Sequence, residues 1–262
     1  MKTTAVVHAA ALAAVLLVNA LANILPINGI GTGELSDMYP NLFVPAGITF
    51  SIWGLIYLLL ILWVGRQFYI SHRRIGSLRT QISASVPWFL ISCIGNILWI
   101  ITWHYQYLIA SLLMMLVIFF SLIKLYLAIG VGTRSRSISH RLLYHLPISV
   151  YLGWISVALI ANITAALVHF QWQRFGLSEV FWTVVVIIAA LAVGLAMLVI
   201  KKDIFHPLVV LWAFAGIIIK RSSAEPVYTP VITTAWIGIA LIAVGVIAFL
   251  VLKRSYLYSC PH

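Results

Sequence analysis

Eight blocks of apolar residues alternate with short polar segments along the chain. They cover residues 4–25, 46–66, 86–104, 107–130, 144–168, 179–200, 204–219 and 231–252, and we number them helices 1 to 8 in that order. An α-helix rises 1.5 Å per residue, so about 20 apolar residues cross the hydrocarbon of a bilayer. Within a block the apolar residues surround the helix axis instead of forming one stripe, the pattern of a helix whose surroundings are themselves apolar. On these boundaries Pro87 falls in the first turn of helix 3, where a missing N–H costs little. Helix 1 has two readings. Ala20-Leu21-Ala22 resembles a signal-peptide cleavage site, whereas the length of the run, with Asn19 and Asn23 in it, favours a retained first helix.

The few polar and aromatic residues inside the blocks fall on matched faces. Trp53 and Tyr57 of helix 2 are four residues apart, and Asn96 and Trp99 of helix 3 are three apart. Helix 5 carries Trp154, Ala158 and Asn162 at intervals of four, with Tyr151 one turn below Trp154. Each spacing keeps its side chains on one helical face. At 1.5 Å per residue, all three stripes lie about 8–21 Å from the same end of their helices. We expect them to face one another and line a cavity of aromatic walls and a few amides, suited to a flat, largely apolar ligand. The segment 26–45, with its Gly29-x-Gly31-x-Gly33 run, lies at that end and is expected to cover the opening. Trp63, Trp88, Trp103 and Trp172 are expected in the aromatic belts at the membrane surfaces.

Composition places the fold class. Hydrophobic residues make up 63% of the 262 and charged residues 8%, with a mean hydropathy of +1.11. A soluble domain of this length has too little interior for that much apolar surface. The chain is expected to be an all-α integral membrane protein, a bundle with bilayer lipid as its solvent. No linker divides it. The intramembrane polar residues nevertheless gather in the first five helices, which suggests a ligand-binding bundle over residues 1–175, then three further helices and a short tail over 176–262.

The formal charge of +11 would suggest nucleic acid in a soluble protein; here its distribution reads as topology, and no nucleic-acid partner is expected. With the N-terminus inside, the inner side holds Lys2, Arg66, Arg73, Arg74, Arg79, Lys124, Arg134, Arg136, Arg141, Lys201, Lys202, Lys253 and Arg254. The outer side holds Arg174, Lys220 and Arg221. That asymmetry predicts a multi-pass protein of the cell membrane with both termini cytoplasmic.

Candidate chemistry is sparse. Cys93 lies in an apolar block and Cys260 in the tail, so neither a disulfide nor a metal signature is read from them. No span contains a carboxylate or a central lysine, and no nucleophile–base pair stands at a recognisable spacing, so no catalytic residue is assigned, whether the chain is an enzyme stays open, and no metal site is expected. Two alternatives stay open. His104 and His169, near the outer ends of helices 3 and 5, would serve a membrane haem protein or enzyme. A permease or assembly subunit would use helices 6–8 as a partner surface.

Taken together, these residues resemble the TspO/MBR family, the translocator proteins or tryptophan-rich sensory proteins. Pro45, Phe50 and Trp53-Gly-Leu-Ile-Tyr57 resemble the family's helix 2, and Asn96-Ile-Leu-Trp99 its helix 3. Trp154-Ile-Ser-Val-Ala158-Leu-Ile-Ala-Asn162 resembles its helix 5. The short turn near His104-Tyr105-Gln106 is similar as well. There are departures: Ile48 stands where the family usually has a tryptophan, and Phe50 lies one residue closer to Trp53 than the pattern. Ile163 follows Asn162 where the family's sterol motif begins with tyrosine. The resemblance covers roughly residues 5–170 and implies a five-helix bundle, often dimeric, that binds porphyrins, haem, sterols or similar planar ligands. It implies roles in sensing, transport or light-dependent porphyrin breakdown, and that Trp53, Asn96, Trp99, Trp154 and Ala158 line the cavity. Helices 6–8 would make this an extended member.

Overall fold

A computed structural model of the chain describes residues 2–25, 27–73, 76–132 and 138–252. Arg74, Arg134, Arg136, Lys253, Arg254 and Cys260, which enter the charge and cysteine readings, lie outside the described residues. Eight helices among those described are long and apolar enough to cross a membrane. They are α1 (Lys2–Ile24), α2 (Ile52–Arg73), α3 (Gly76–His104), α4 (Leu108–Ile129), α5 (Leu146–His169), α6 (Glu179–Ile200), α7 (Phe205–Ser222) and α8 (Thr229–Leu252). No strand occurs among the described residues. The protein is an all-α membrane protein, as the length and composition of its apolar blocks require.

Three boundaries differ from expectation. Helix α3 begins at Gly76, ten residues before the apolar block, so Pro87 sits inside it instead of in its first turn. The added residues are polar on average, yet Ile82 and Ser85 are buried, and packing rather than apolarity holds them helical. Helix α2 likewise runs on to Arg73. Ahead of α5 the chain makes one widened π turn over Arg141–His145. Pro147 follows within the first turn of α5; its ring would press on the carbonyl four residues earlier, and a wider turn relieves that pressure.

Lipid tails are as apolar as leucine, so burial alone does not hold such helices together; close packing and internal hydrogen bonds do. Glycines mark the closest approaches. A Cβ on Gly153 of α5 would lie 3.1 Å from Val209 Cβ and 3.2 Å from the His206 carbonyl of α7. A Cβ on Gly238 of α8 would lie 2.6 Å from the Phe214 ring of α7. Helix α7 is thus clasped between α5 on one side and α6 and α8 on the other. Helices α1–α5 pack as a group, with the α3–α4 hairpin at its centre. Helices α5 and α6 touch each other little and diverge.

The start of α7 is fixed by a buried carboxylate. Asp203 Oδ2 accepts hydrogen bonds from Tyr126 Oη of α4 at 2.9 Å and from Ser149 Oγ of α5. Its Oδ1 accepts from the backbone N–H of Phe205 at 2.9 Å, capping the first turn of α7. One side chain therefore ties α4, α5 and α7 together, although the sequence places Asp203 in a connecting loop. Replacing it strands two buried hydroxyl donors and the helix end, each worth about 1–3 kcal/mol when unsatisfied. We expect Asp203→Ala to lose about 3 kcal/mol or more and to lower the thermal unfolding midpoint of the detergent-purified protein by several degrees.

Candidate functional site

At the entrance to α2 the backbone winds as a 3-10 turn over Gly47–Ser51 before it becomes α-helical. A 3-10 turn repeats every three residues, so side chains three apart eclipse. Phe50 therefore stands one turn from Trp53 on the same face, and the one-residue shortening noted in the sequence is absorbed by the tighter winding. Both rings meet Trp154 of α5 edge-on, with centroids 5.8 Å from Phe50 and 6.3 Å from Trp53.

Trp53 is the hub. Its ring stacks on Trp99 of α3 at 5.9 Å and 29°, and on Tyr57 at 5.7 Å and 25°. Tyr151 of α5 meets it edge-on at 6.0 Å. Trp99 continues the stack to Trp103 at 6.4 Å and 17°. Three helices thus converge on one aromatic box through the residues whose spacing marked them.

Beside this box lies a small cavity of about 40 Å³. Trp53, Trp99, Trp154, Ala158 and Asn162 line it, together with Phe50, Trp103 and Ala161. Thr32, Ser36 and Pro45 close it from the 26–45 segment. Neither Trp99 Nε1 nor Trp154 Nε1 has an acceptor among the described residues, although both are buried. The volume suits about three waters, far below the roughly 300–1,000 Å³ of a site that encloses a drug-sized ligand. In this structure the cavity is too small to enclose such a ligand.

Two of the seven candidate residues stand behind the cavity instead of in its wall. Asn96 is fully buried, its Oδ1 accepting from Asn19 Nδ2 of α1 at 2.7 Å and its Nδ2 donating to Tyr151 Oη at 3.3 Å. Its amide joins α1, α3 and α5, and it reaches the box only through Tyr151. Tyr57 lies below, stacked on Trp53. Asn162 does line the cavity, and its Nδ2 donates to Ser111 Oγ of α4 at 3.4 Å.

Other parts of the structure lie where local spacing does not by itself place them. Trp103, assigned to a membrane-surface belt, is buried in the wall, with its indole N–H 3.4 Å from the Thr32 carbonyl. Trp63, given the same assignment, is fully buried between His8 and Phe89, with centroids 5.2 and 5.0 Å away. The i,i+4 step from Trp99 to Trp103 was the available signal for the first. Nothing local marked the second, because its partners come from α1 and α3.

The cover is latched through His104 at the end of α3. His104 Nδ1 donates to the Ile27 carbonyl at 3.0 Å, since a carbonyl only accepts, and Nε2 takes the Thr32 hydroxyl at 2.9 Å. Both ring nitrogens are thereby committed to the 26–45 segment. His169 instead packs edge-on against Tyr39 at 6.0 Å. A short helix, Thr32–Asp37, carries the cover across the opening. Lys220 of α7 pairs with Asp37, and Glu179 of α6 accepts the Leu42 N–H at 2.9 Å. The strap leading into α2 is held by α7: Ala46 N donates to the Gly216 carbonyl at 3.0 Å, and Trp212 Nε1 to the Thr49 carbonyl at 3.0 Å. A Cβ on Gly216 would lie 2.0 Å from Thr49 Oγ1, so only glycine admits this contact.

A family model described as TSPO-like protein matches residues 5–248 of the chain, a stretch that includes α6, α7 and most of α8. No curated protein and no solved structure matches it.

The position of Asn96 separates two roles by experiment. Asn96→Leu removes the link from α1 to α5, and interhelical hydrogen bonds in membranes are worth about 1 kcal/mol. We expect a stability loss of about 1–2 kcal/mol, seen as a lower thermal midpoint in detergent. Tyr57→Phe, which keeps the stacked ring, should cost less than about 0.5 kcal/mol in the same assay.

Proposed function

The chain belongs to the TSPO-like protein family, and from that premise we propose that its aromatic box binds a planar hydrophobic ligand of the tetrapyrrole class, as a sensor or carrier within the membrane. One observation carries the reading: Trp53 meets Trp99 and Trp154 at the junction of α2, α3 and α5, and the last two indole N–H groups have no acceptor among the described residues. Indole faces suit a flat π system. Buried N–H donors without partners suit a ligand with acceptors on its edge, because an unmet donor away from water costs about 1–3 kcal/mol.

The roles divide by position. Trp53 presents its face to the ligand, Trp154, set edge-on to Trp53, bounds the ligand's edge, and Trp99 lines the wall beside them. Ala158, too small to fill its place on the wall, leaves room for the ligand's edge. Asn162 and the indole N–H groups bond its polar periphery. Asn96 orients Tyr151 and through it Trp53, without touching the ligand. Entry requires the cover over residues 26–45 to lift, because the closed volume holds only water-sized guests. Helices α6–α8 act as a buttress that fixes the cover through Glu179 and Lys220 and the entry strap through Gly216. The covered end faces outside, as the distribution of lysine and arginine argues.

Two measurements test this. The detergent-purified protein is titrated with protoporphyrin IX and read by tryptophan fluorescence beside the Trp53→Phe/Trp154→Phe variant. We expect saturable quenching whose Kd rises about tenfold in the variant, the loss of about 1.4 kcal/mol of stacking. Linear, non-saturating quenching in both proteins removes the tetrapyrrole from the proposal. For orientation, Gln173→Cys and Lys202→Cys are made in a Cys260→Ser background and treated with a membrane-impermeant maleimide. Gln173→Cys should label in intact cells and Lys202→Cys only after permeabilisation; the reverse pattern inverts the topology.

A further inference from the structure

A second and larger space lies between α5 and α6, at the covered end but on the far side of α5 from the aromatic box. It measures about 580 Å³ and is not fully enclosed. Its walls are Ile160, Ile163 and Leu167 of α5 and Thr183, Val186 and Ala189 of α6, with Phe43 of the strap among its lining residues. The trough exists because the two helices diverge. Helix α6 packs on α7 and α8, so its contact with α5 is slight.

The rim is different in kind. The turn from Gln171 to Gly176 joins α5 to α6, and Gln171, Trp172, Gln173 and Arg174 all line the opening. Trp182 Nε1 donates to the Arg174 carbonyl at 2.9 Å, and Trp172 packs on Trp182 with centroids 5.1 Å apart. Paired indoles of this kind are at home at headgroup level. Arg174 is exposed, and among the described residues no carboxylate lies within ion-pair distance of it, the one ion pair being that of Lys220 with Asp37. Glu179, the acid at the same rim, is already engaged by the Leu42 N–H.

Dimensions name the occupant. Ile160 to His169 is nine residues and Glu179 to Ala189 is ten, so the apolar trough runs about 14–15 Å from the rim. Half of a hydrocarbon core about 30 Å thick is about 15 Å. A trough one leaflet deep, with indoles and a lone guanidinium at its mouth, matches one membrane lipid that carries a phosphate.

We propose that the α5–α6 trough is a binding site for one glycerophospholipid, with an acyl chain along Ile163, Leu167 and Val186 and the phosphate on Arg174. The guanidinium meets phosphate oxygens with paired N–H donors, a geometry lysine does not reproduce. The site is separate from the aromatic box and does not depend on what binds there.

The test uses the full-length protein, delipidated in mild detergent and read by native mass spectrometry. It is titrated with dioleoyl phosphatidylglycerol and, separately, with dioleoylglycerol, which has the same chains and no phosphate. We expect one retained phospholipid per chain, with apparent affinity falling about tenfold in Arg174→Gln and in Ala189→Trp, which fills the trough. Dioleoylglycerol should bind weakly and be indifferent to Arg174→Gln. Glycerol 3-phosphate in excess should not displace the lipid. Equal phospholipid retention by the parent and both variants would overturn the proposal, as would dioleoylglycerol binding as tightly as the phospholipid. Displacement by glycerol 3-phosphate would point to a site for soluble phosphate instead. A dimer mass without lipid would mean that a second copy of the chain fills the trough, and would equally overturn it. Arg174 is exposed, so Arg174→Gln is not expected to disturb folding, and an unchanged thermal midpoint is recorded with each titration.

Discussion

A polar side chain inside hydrocarbon has no water to bond, so each one that finds a partner in the protein gains stability that an unpaired one forfeits. This constraint organises the bundle. Asn19, Asn96 and Tyr151 form a relay across α1, α3 and α5. His8 Nδ1 bonds Gln67 Oε1 at 2.7 Å, fixing α1 to α2. Asp203 gathers α4, α5 and α7. Apolar packing fills the space between these links but does not by itself set their register, because one leucine face packs on another in many ways. The polar links have few alternatives, and the helices settle where those links close.

The aromatic box inherits its geometry from these links. Tyr151 is held by Asn96 and in turn holds the edge of Trp53, and Trp53 is the ring against which Trp99, Tyr57 and Trp154 are set. The cover is fixed by another route. Its latch is His104, its lateral ties are Lys220 and Glu179, and the strap below it rests on α7 at Gly216. Wall and cover meet on α3, which carries the cavity tryptophans Trp99 and Trp103 and the latch His104.

The legible part of the site was the part built from short-range periodicity. Trp53 and Tyr57, Asn96 and Trp99, and Trp154 with Ala158 and Asn162 share faces because 3.6 residues make a turn, and the spacing states that outright. Whether a residue on such a face enters the cavity or supports its wall was not legible. Asn96 and Trp99 are one turn apart, yet one amide is consumed by Asn19 and Tyr151 while the other side chain lines the space. Trp103 and Trp63 were misplaced for the same reason. A tryptophan near a helix end fits a membrane belt equally well until the neighbouring helix is known, and their neighbours, Thr32 for one and His8 and Phe89 for the other, are far along the chain. Asp203 looked like a loop acid because burial follows from where α4 and α5 lie, not from adjacent residues.

Apolar length and composition by themselves determined a helical membrane protein with eight candidate spans, since a block of that length and hydropathy has no other stable solvent. Local spacing determined which faces carry aromatic and amide groups. Tertiary structure decided the rest: that Asn96 braces and Trp103 lines, that His104 spends both nitrogens on the cover, and that α5 and α6 part to leave a second trough. These outcomes depend on contacts between residues dozens of positions apart, and no periodicity within one helix encodes the rotation or tilt of the next. The bilayer fixed the number of helices, and the few polar groups that pair within it fixed how the helices meet.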